Sequence, residues 1–74
     1  MQKVENFDVS RTELNNIIDE YVVGSNAIRD RMIVKDRYID GYSYYQLAEK
    51  HNLSLNSIKS ILRKRKKQVF KHLG

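Results

Sequence analysis

The chain has 74 residues, with 14 Lys and Arg against 9 Asp and Glu for a net charge of +5, and it contains no cysteine and no proline. A domain this small buries only about 60–65% of the surface its unfolded chain exposes, which leaves no room for an enzyme cleft beside a core, so no catalytic residue is expected. Without cysteine there is no disulfide, thiolate zinc site or thiol nucleophile, and His51 and His72 lack a ligand spacing, so no metal or cofactor is expected and both read as solvated polar residues.

Residues 1–9 are expected to form a frayed N-terminus ahead of a single domain over residues 10–74. They lack the positive start and apolar run of a signal peptide, and no apolar stretch in the chain approaches bilayer length. A soluble, cytoplasmic protein with no membrane partner is therefore expected. Glycine occurs only at positions 24, 41 and 74, where it punctuates an all-α bundle of about four helices.

Ser10 and Glu13 form a capping box, and Val9 can staple onto Leu14. Leu14, Ile17, Ile18 and Tyr21 share one face of the helix that follows, which should end near Val23 and Gly24. Ser25 or Asn26 caps a second helix running to about Ile39 and closed by Gly41. Ile28, Met32 and Ile39 share a face there, with Ile33, Val34 and Tyr38 spread around the cylinder, so the helix should be central. Arg29, Asp30, Arg31 and Asp36 read as local ion pairs of little energetic weight.

The stretch from Ser43 to Leu62 reads as a helix-turn-helix. Ser43 and Gln46 form a second capping box, Asn52 suits the left-handed turn, and Ser54 caps a helix over residues 55–72. Ala48 is small where two helices cross, while Leu47, Leu53, Ile58, Ile61 and Leu62 supply the apolar wedge. On the last helix Ile58, Leu62, Val69 and Leu73 make an apolar stripe that Arg65 interrupts. The Arg65 stem can lie along apolar surface with its guanidinium reaching water.

Charge is segregated along the chain. Residues 1–49 carry 6 Lys and Arg against 9 Asp and Glu, whereas residues 50–74 carry 8 basic residues and no acid. That field lies beside the second motif helix, where a polyanion would dock. Asn56, Ser57, Lys59, Ser60 and Arg63 occupy its base-reading window, with Asn56 suited to adenine and Arg63 to guanine. Lys64, Lys66, Lys67 and Lys71 suit phosphates. Ser43, Tyr45 and Gln46 are candidates for the flanking backbone; for Tyr45 a simple solvent-exposed role weighs equally, and Tyr44 is expected in the core.

From Arg31 to Leu73 the chain resembles region four of bacterial sigma factors. The resemblance rests on Arg37 and Tyr38 closing an apolar helix, then Gly41, Ser43, Tyr44, Leu47, Ala48 and Glu49, the turn at Asn52, and Ser54 with Ile58, Lys59 and Ser60. It implies a last helix in the major groove of a promoter's upstream element, with Leu55, Asn56, Lys59, Ser60 and Arg63 on DNA. Asn52 stands where that family usually has glycine, and the chain has no room for the domain that binds the other promoter element. It is therefore more similar to the stand-alone regulators of this type in bacteria and their phages.

The expected function is a sequence-specific, double-stranded DNA-binding transcriptional regulator, aided by homodimer formation, by the first helix or by contact with RNA polymerase. Two alternatives are the DNA-recognition piece of a phage small terminase, whose cores are similar, and a helical adaptor whose basic helix docks on RNA polymerase or another protein.

Overall fold

Serines start three of the helices in the computed structural model, which describes residues 10–71. The elements are α1 (Arg11–Tyr21), α2 (Ala27–Tyr38), α3 (Tyr44–His51) and α4 (Leu55–Phe70). Ser10 Oγ accepts from Glu13 N at 3.0 Å and Ser10 N donates to Glu13 Oε1 at 3.5 Å. The same reciprocal pair forms between Ser43 and Gln46, at 3.1 and 2.8 Å. Both capping boxes satisfy N-terminal N–H groups that a helix leaves without partners. α1 closes at Val22, slightly before the expected end, and the staple proposed for Val9 lies outside the described residues.

α2 begins differently from expectation. Asn26 occupies the N-cap position in a left-handed conformation (φ 61°) and makes no side-chain cap bond. Arginines shape the preceding turn instead: Arg31 Nε donates to Val22 O, and Arg65 donates to Val23 O and Ser25 O, at 2.8, 2.8 and 2.9 Å.

The core unites Leu14, Ile18 and Val22 with Ile33 and Val34 of α2, Leu47 of α3, and Ile58, Leu62 and Val69 of α4. α2 and α4 each pack against all three other helices. α2 is central, as expected, but of the three residues that share one of its faces only Ile39 packs against the core. Ile28 and Met32 are 77% and 49% exposed, while Asp30, Ile33, Val34 and Asp36 are buried. At about 100° per residue Ile28 and Met32 lie roughly opposite Asp30, so the inward face of α2 carries charge as well as hydrocarbon. It does so because each charge finds a partner inside.

Arg65 is the first such case, and it corrects the expectation of a water-facing guanidinium. It is 1% exposed. Its Nε donates to Asp30 Oδ2 at 2.8 Å, and Nη1 also reaches Gln68 Oε1 at 2.9 Å. With the two turn carbonyls, this satisfies nearly the whole donor set of a guanidinium. Asp30 Oδ1 accepts from Arg29 Nε and Nη2 at 3.1 and 3.0 Å, so both its oxygens are occupied. Asp30 also sits in the first turn of α2, where the helix dipole favours a carboxylate.

Asp36 is the second case, and its bonding to His51 corrects the reading of that histidine as solvated. Asp36 Oδ2 lies 2.9 Å from both His51 Nε2 and Lys50 Nζ, while its carbonyl accepts Tyr42 N at 2.9 Å. The hydrogen bond to Asp36 raises the Lys50 pKa above its ordinary value, against a smaller lowering from desolvation. Arg37 Nη1 donates to Tyr42 O at 2.8 Å and its guanidinium stacks over Tyr44 at 4.7 Å. Tyr44, expected in the core, is thus a partly exposed ring beneath an arginine.

Removing one partner of a buried pair strands the other charge. Arg65→Met alone is therefore expected to cost about 3–5 kcal/mol in urea denaturation, and adding Asp30→Asn should recover part of it. A single-variant loss below about 1 kcal/mol would rank the pair with ordinary surface ion pairs.

Candidate nucleic-acid interface

The turn between α3 and α4 is built from backbone hydrogen bonds that only a left-handed residue allows. Asn52 adopts φ 55° and ψ 48°, its N–H donates toward Glu49 O, and Leu53 N donates to Ala48 O at 3.0 Å. This is the Schellman arrangement, with Leu53 folding back onto the core. Ser54 Oγ then accepts Ser57 N at 3.1 Å and donates to Ser57 Oγ at 2.9 Å, starting α4 at once. Half-buried Ala48 and buried Leu47, Ile58 and Leu62 set the crossing of the two helices, as the sequence implied.

α4 has two sides. With Ile58 at 0° and about 100° per residue, Leu62, Arg65 and Val69 fall within roughly 40° of it, and all are buried. Arg65 does not break the inward stripe; it is part of it. Asn56, Lys59, Ser60, Arg63, Lys64, Lys66, Lys67 and Lys71 are exposed. Asn56, Ser60 and Lys67 stand farthest from the core on this projection, at about 160–180°, with Arg63 and Lys71 at about 140°.

The other candidates are placed less openly. Leu55 and Ser57 are half-buried, and the Ser57 hydroxyl is engaged with Ser54. Ser43 is half-buried and spends both its hydroxyl and its N–H on Gln46. Gln46 and Tyr45 are exposed on the first turn of α3.

Shallow grooves flank the exposed face. One is lined by Leu53, Asn56, Ser57, Ser60 and Ile61 together with Arg29 of α2. The other is lined by Tyr38, Tyr44, Lys59, Leu62, Arg63 and Lys66. Arg29, read from the sequence as part of a local ion pair, does pair with its neighbour Asp30, and it also lines the first of these grooves.

Among the described residues no helix is long and apolar enough to cross a membrane, and no group of three or more His, Cys, Asp or Glu could hold a metal. What the geometry defines is an all-α helix-turn-helix domain with its second helix basic and outward. The chain belongs to the family described as Sigma-70, region 4, which residues 28–71 match, and with it to a DNA-binding, non-enzymatic kind of domain. The match takes in α2 from Ile28 as well as both motif helices. No curated protein and no solved structure gives a match.

Because Asn52 holds a positive φ, Asn52→Gly is expected to leave stability within about 1 kcal/mol, the freedom of glycine offsetting its entropy. Asn52→Val should cost about 1–2 kcal/mol, since a β-branched side chain resists the left-handed region. Thermal unfolding of the two variants measures both effects.

Proposed function

We propose that this protein is a sequence-specific DNA-binding transcriptional regulator of bacterial or phage type, with α4 lying in the major groove. The observation that carries this reading is the exposed face of α4, where Asn56, Ser60 and Arg63 stand among Lys59, Lys64, Lys66, Lys67 and Lys71. A helix of about 10–12 Å diameter fits a groove about 12 Å wide. Asn56 and Arg63 carry planar side chains suited to paired hydrogen bonds with adenine and guanine edges, and short Ser60 permits close approach. The lysines serve phosphates, joined by Tyr45 and Gln46 from the exposed first turn of α3. Leu55, Ser57 and Ser43 support the interface through packing and capping.

A second reading has one observation in its favour. Ile28 and Met32 are open on the outward side of α2, and a contact with RNA polymerase or with a second copy of the chain would cover them. Such a contact would extend the limited area of a single module on DNA. A packaging role as the DNA-recognition piece of a small terminase has no separate feature to support it.

Selection from random duplexes, repeated across salt concentrations, tests the function. Enrichment of one short site is expected, with Asn56→Ala and Arg63→Ala each losing about 1–3 kcal/mol of discrimination at one base position. Lys67→Ala should weaken all sequences alike and reduce the salt slope by about 0.9. Uniform binding that disappears with salt would instead identify an electrostatic tether.

A further inference from the structure

We propose that Arg65, buried behind the exposed face of α4, determines base specificity without touching DNA: it fixes the roll of α4 and so acts as the positioning residue for Asn56, Ser60 and Arg63. This role rests on the DNA-reading function proposed above and adds to it a determinant of selectivity inside the core.

α4 is held by directed bonds at two places. At its start Leu53 N donates to Ala48 O at 3.0 Å and Ser54 Oγ accepts Ser57 N at 3.1 Å, which ties the first turn of the helix to α3. Nearly three turns further on, Arg65 donates to Asp30 Oδ2 and Val23 O at 2.8 Å and to Ser25 O at 2.9 Å. These three oxygens belong to α2 or to the turn before it, so the bonds fix α4 against the rest of the domain. Asn56, Ser60 and Arg63 lie between the two anchored points.

Of the two kinds of contact on the inward stripe, only the ionic one is directional. Ile58, Leu62 and Val69 share that stripe, but hydrocarbon contact has no preferred direction, and apolar cores lose uniqueness of packing before they lose stability. The donors of a guanidinium lie in one plane and must meet their oxygens together. Arg65 is 1% exposed, so its stem is enclosed and cannot swing to follow oxygens that move away. Rolling α4 therefore breaks the bonds to Asp30, Val23 and Ser25 at once.

The two classes of DNA contact differ in how much roll they tolerate. A side chain on the outside of a helix lies about 5–6 Å from its axis, so a roll of about 20° moves it by about 2 Å. Paired hydrogen bonds to a base edge need donor–acceptor distances of about 2.7–3.2 Å and do not survive such a shift. Lys64, Lys66, Lys67 and Lys71 carry point charges on flexible four-carbon stems and follow a phosphate through it. The roll thus controls which bases are preferred and leaves the general attraction to DNA nearly unchanged.

The test uses the full chain, the duplex selected above and an unrelated duplex. Asp30→Leu combined with Arg65→Met replaces the buried pair by apolar side chains, a change that is often neutral or stabilising. The folded double variant is expected to keep the salt slope and to bind the unrelated duplex within about twofold of the wild type. Its preference for the selected duplex should fall about tenfold or more, the worth of one paired base contact. Leu14→Ala, which loosens the core from α1, should lower the melting temperature and leave the preference as in the wild type. A folded double variant whose preference also stays at the wild-type value shows that Arg65 only stabilises the core, and that result overturns the proposal. Should the double variant fail to fold, Arg65→Lys decides it. Lysine keeps a charge for Asp30 but lacks the fork that reaches both turn carbonyls, so a loss of preference of about threefold or more is expected at an unchanged salt slope. Undiminished preference in Arg65→Lys overturns the proposal. If the wild type itself prefers no duplex, the DNA-reading function fails and this role with it; a selective wild type with equally selective variants removes only the role of Arg65.

Discussion

A buried guanidinium organises this domain. Arg65 joins α4 to α2 through Asp30 and to the α1–α2 turn through the carbonyls of Val23 and Ser25, so one side chain holds three segments in register. An apolar residue there could fill the same volume and tolerate some rotation of α4 about its own axis. The fork of an arginine cannot, because its donors must meet fixed oxygens in one plane. The roll of α4 is thereby set, and with it which residues face outward.

α2 makes this possible by carrying two buried aspartates, one for each helix of the motif. Asp30 holds α4, and Asp36 holds the last turn of α3 through Lys50 and His51. Between them Ile33 and Val34 give the apolar contact. α1 closes the opposite side with Leu14, Ile18 and Val22. It is tied to the last turn of α2 and the residues just after it, by Asp19 on Lys35 and by Arg11 on Ile39 O and Asp40. In so small a core, specific ionic contacts do work of orientation that hydrophobic burial alone leaves loose.

The same arrangement governs the surface field. Four of the aspartates in the N-terminal two thirds are engaged within the fold, with Arg65 and Arg29, with Lys50 and His51, with Lys35 and with Arg11. The exposed basic residues of α4 have no acid on their own helix to offset them. Internal pairing of acids and outward display of bases are two sides of one distribution, and they give a neutralised scaffold beneath a positive face.

The local features were legible in the sequence because their causes are local. The capping boxes at Ser10 and Ser43, the left-handed turn at Asn52, the Ser54 cap and the apolar wedge of α3 and α4 each involve residues a few positions apart. Hydrogen-bond geometry within one turn decides them. The order of helices and the basic outer face of α4 followed from the same information. The inward face of α2, the burial of Arg65 and the anchoring of His51 did not. An ionic side chain goes inside only if a partner waits there, and the partner of Arg65 lies 35 residues away. Local pattern determined where the helices start, stop and turn; only the tertiary structure decided which charges could be buried, since that depends on distant groups meeting at hydrogen-bond distance.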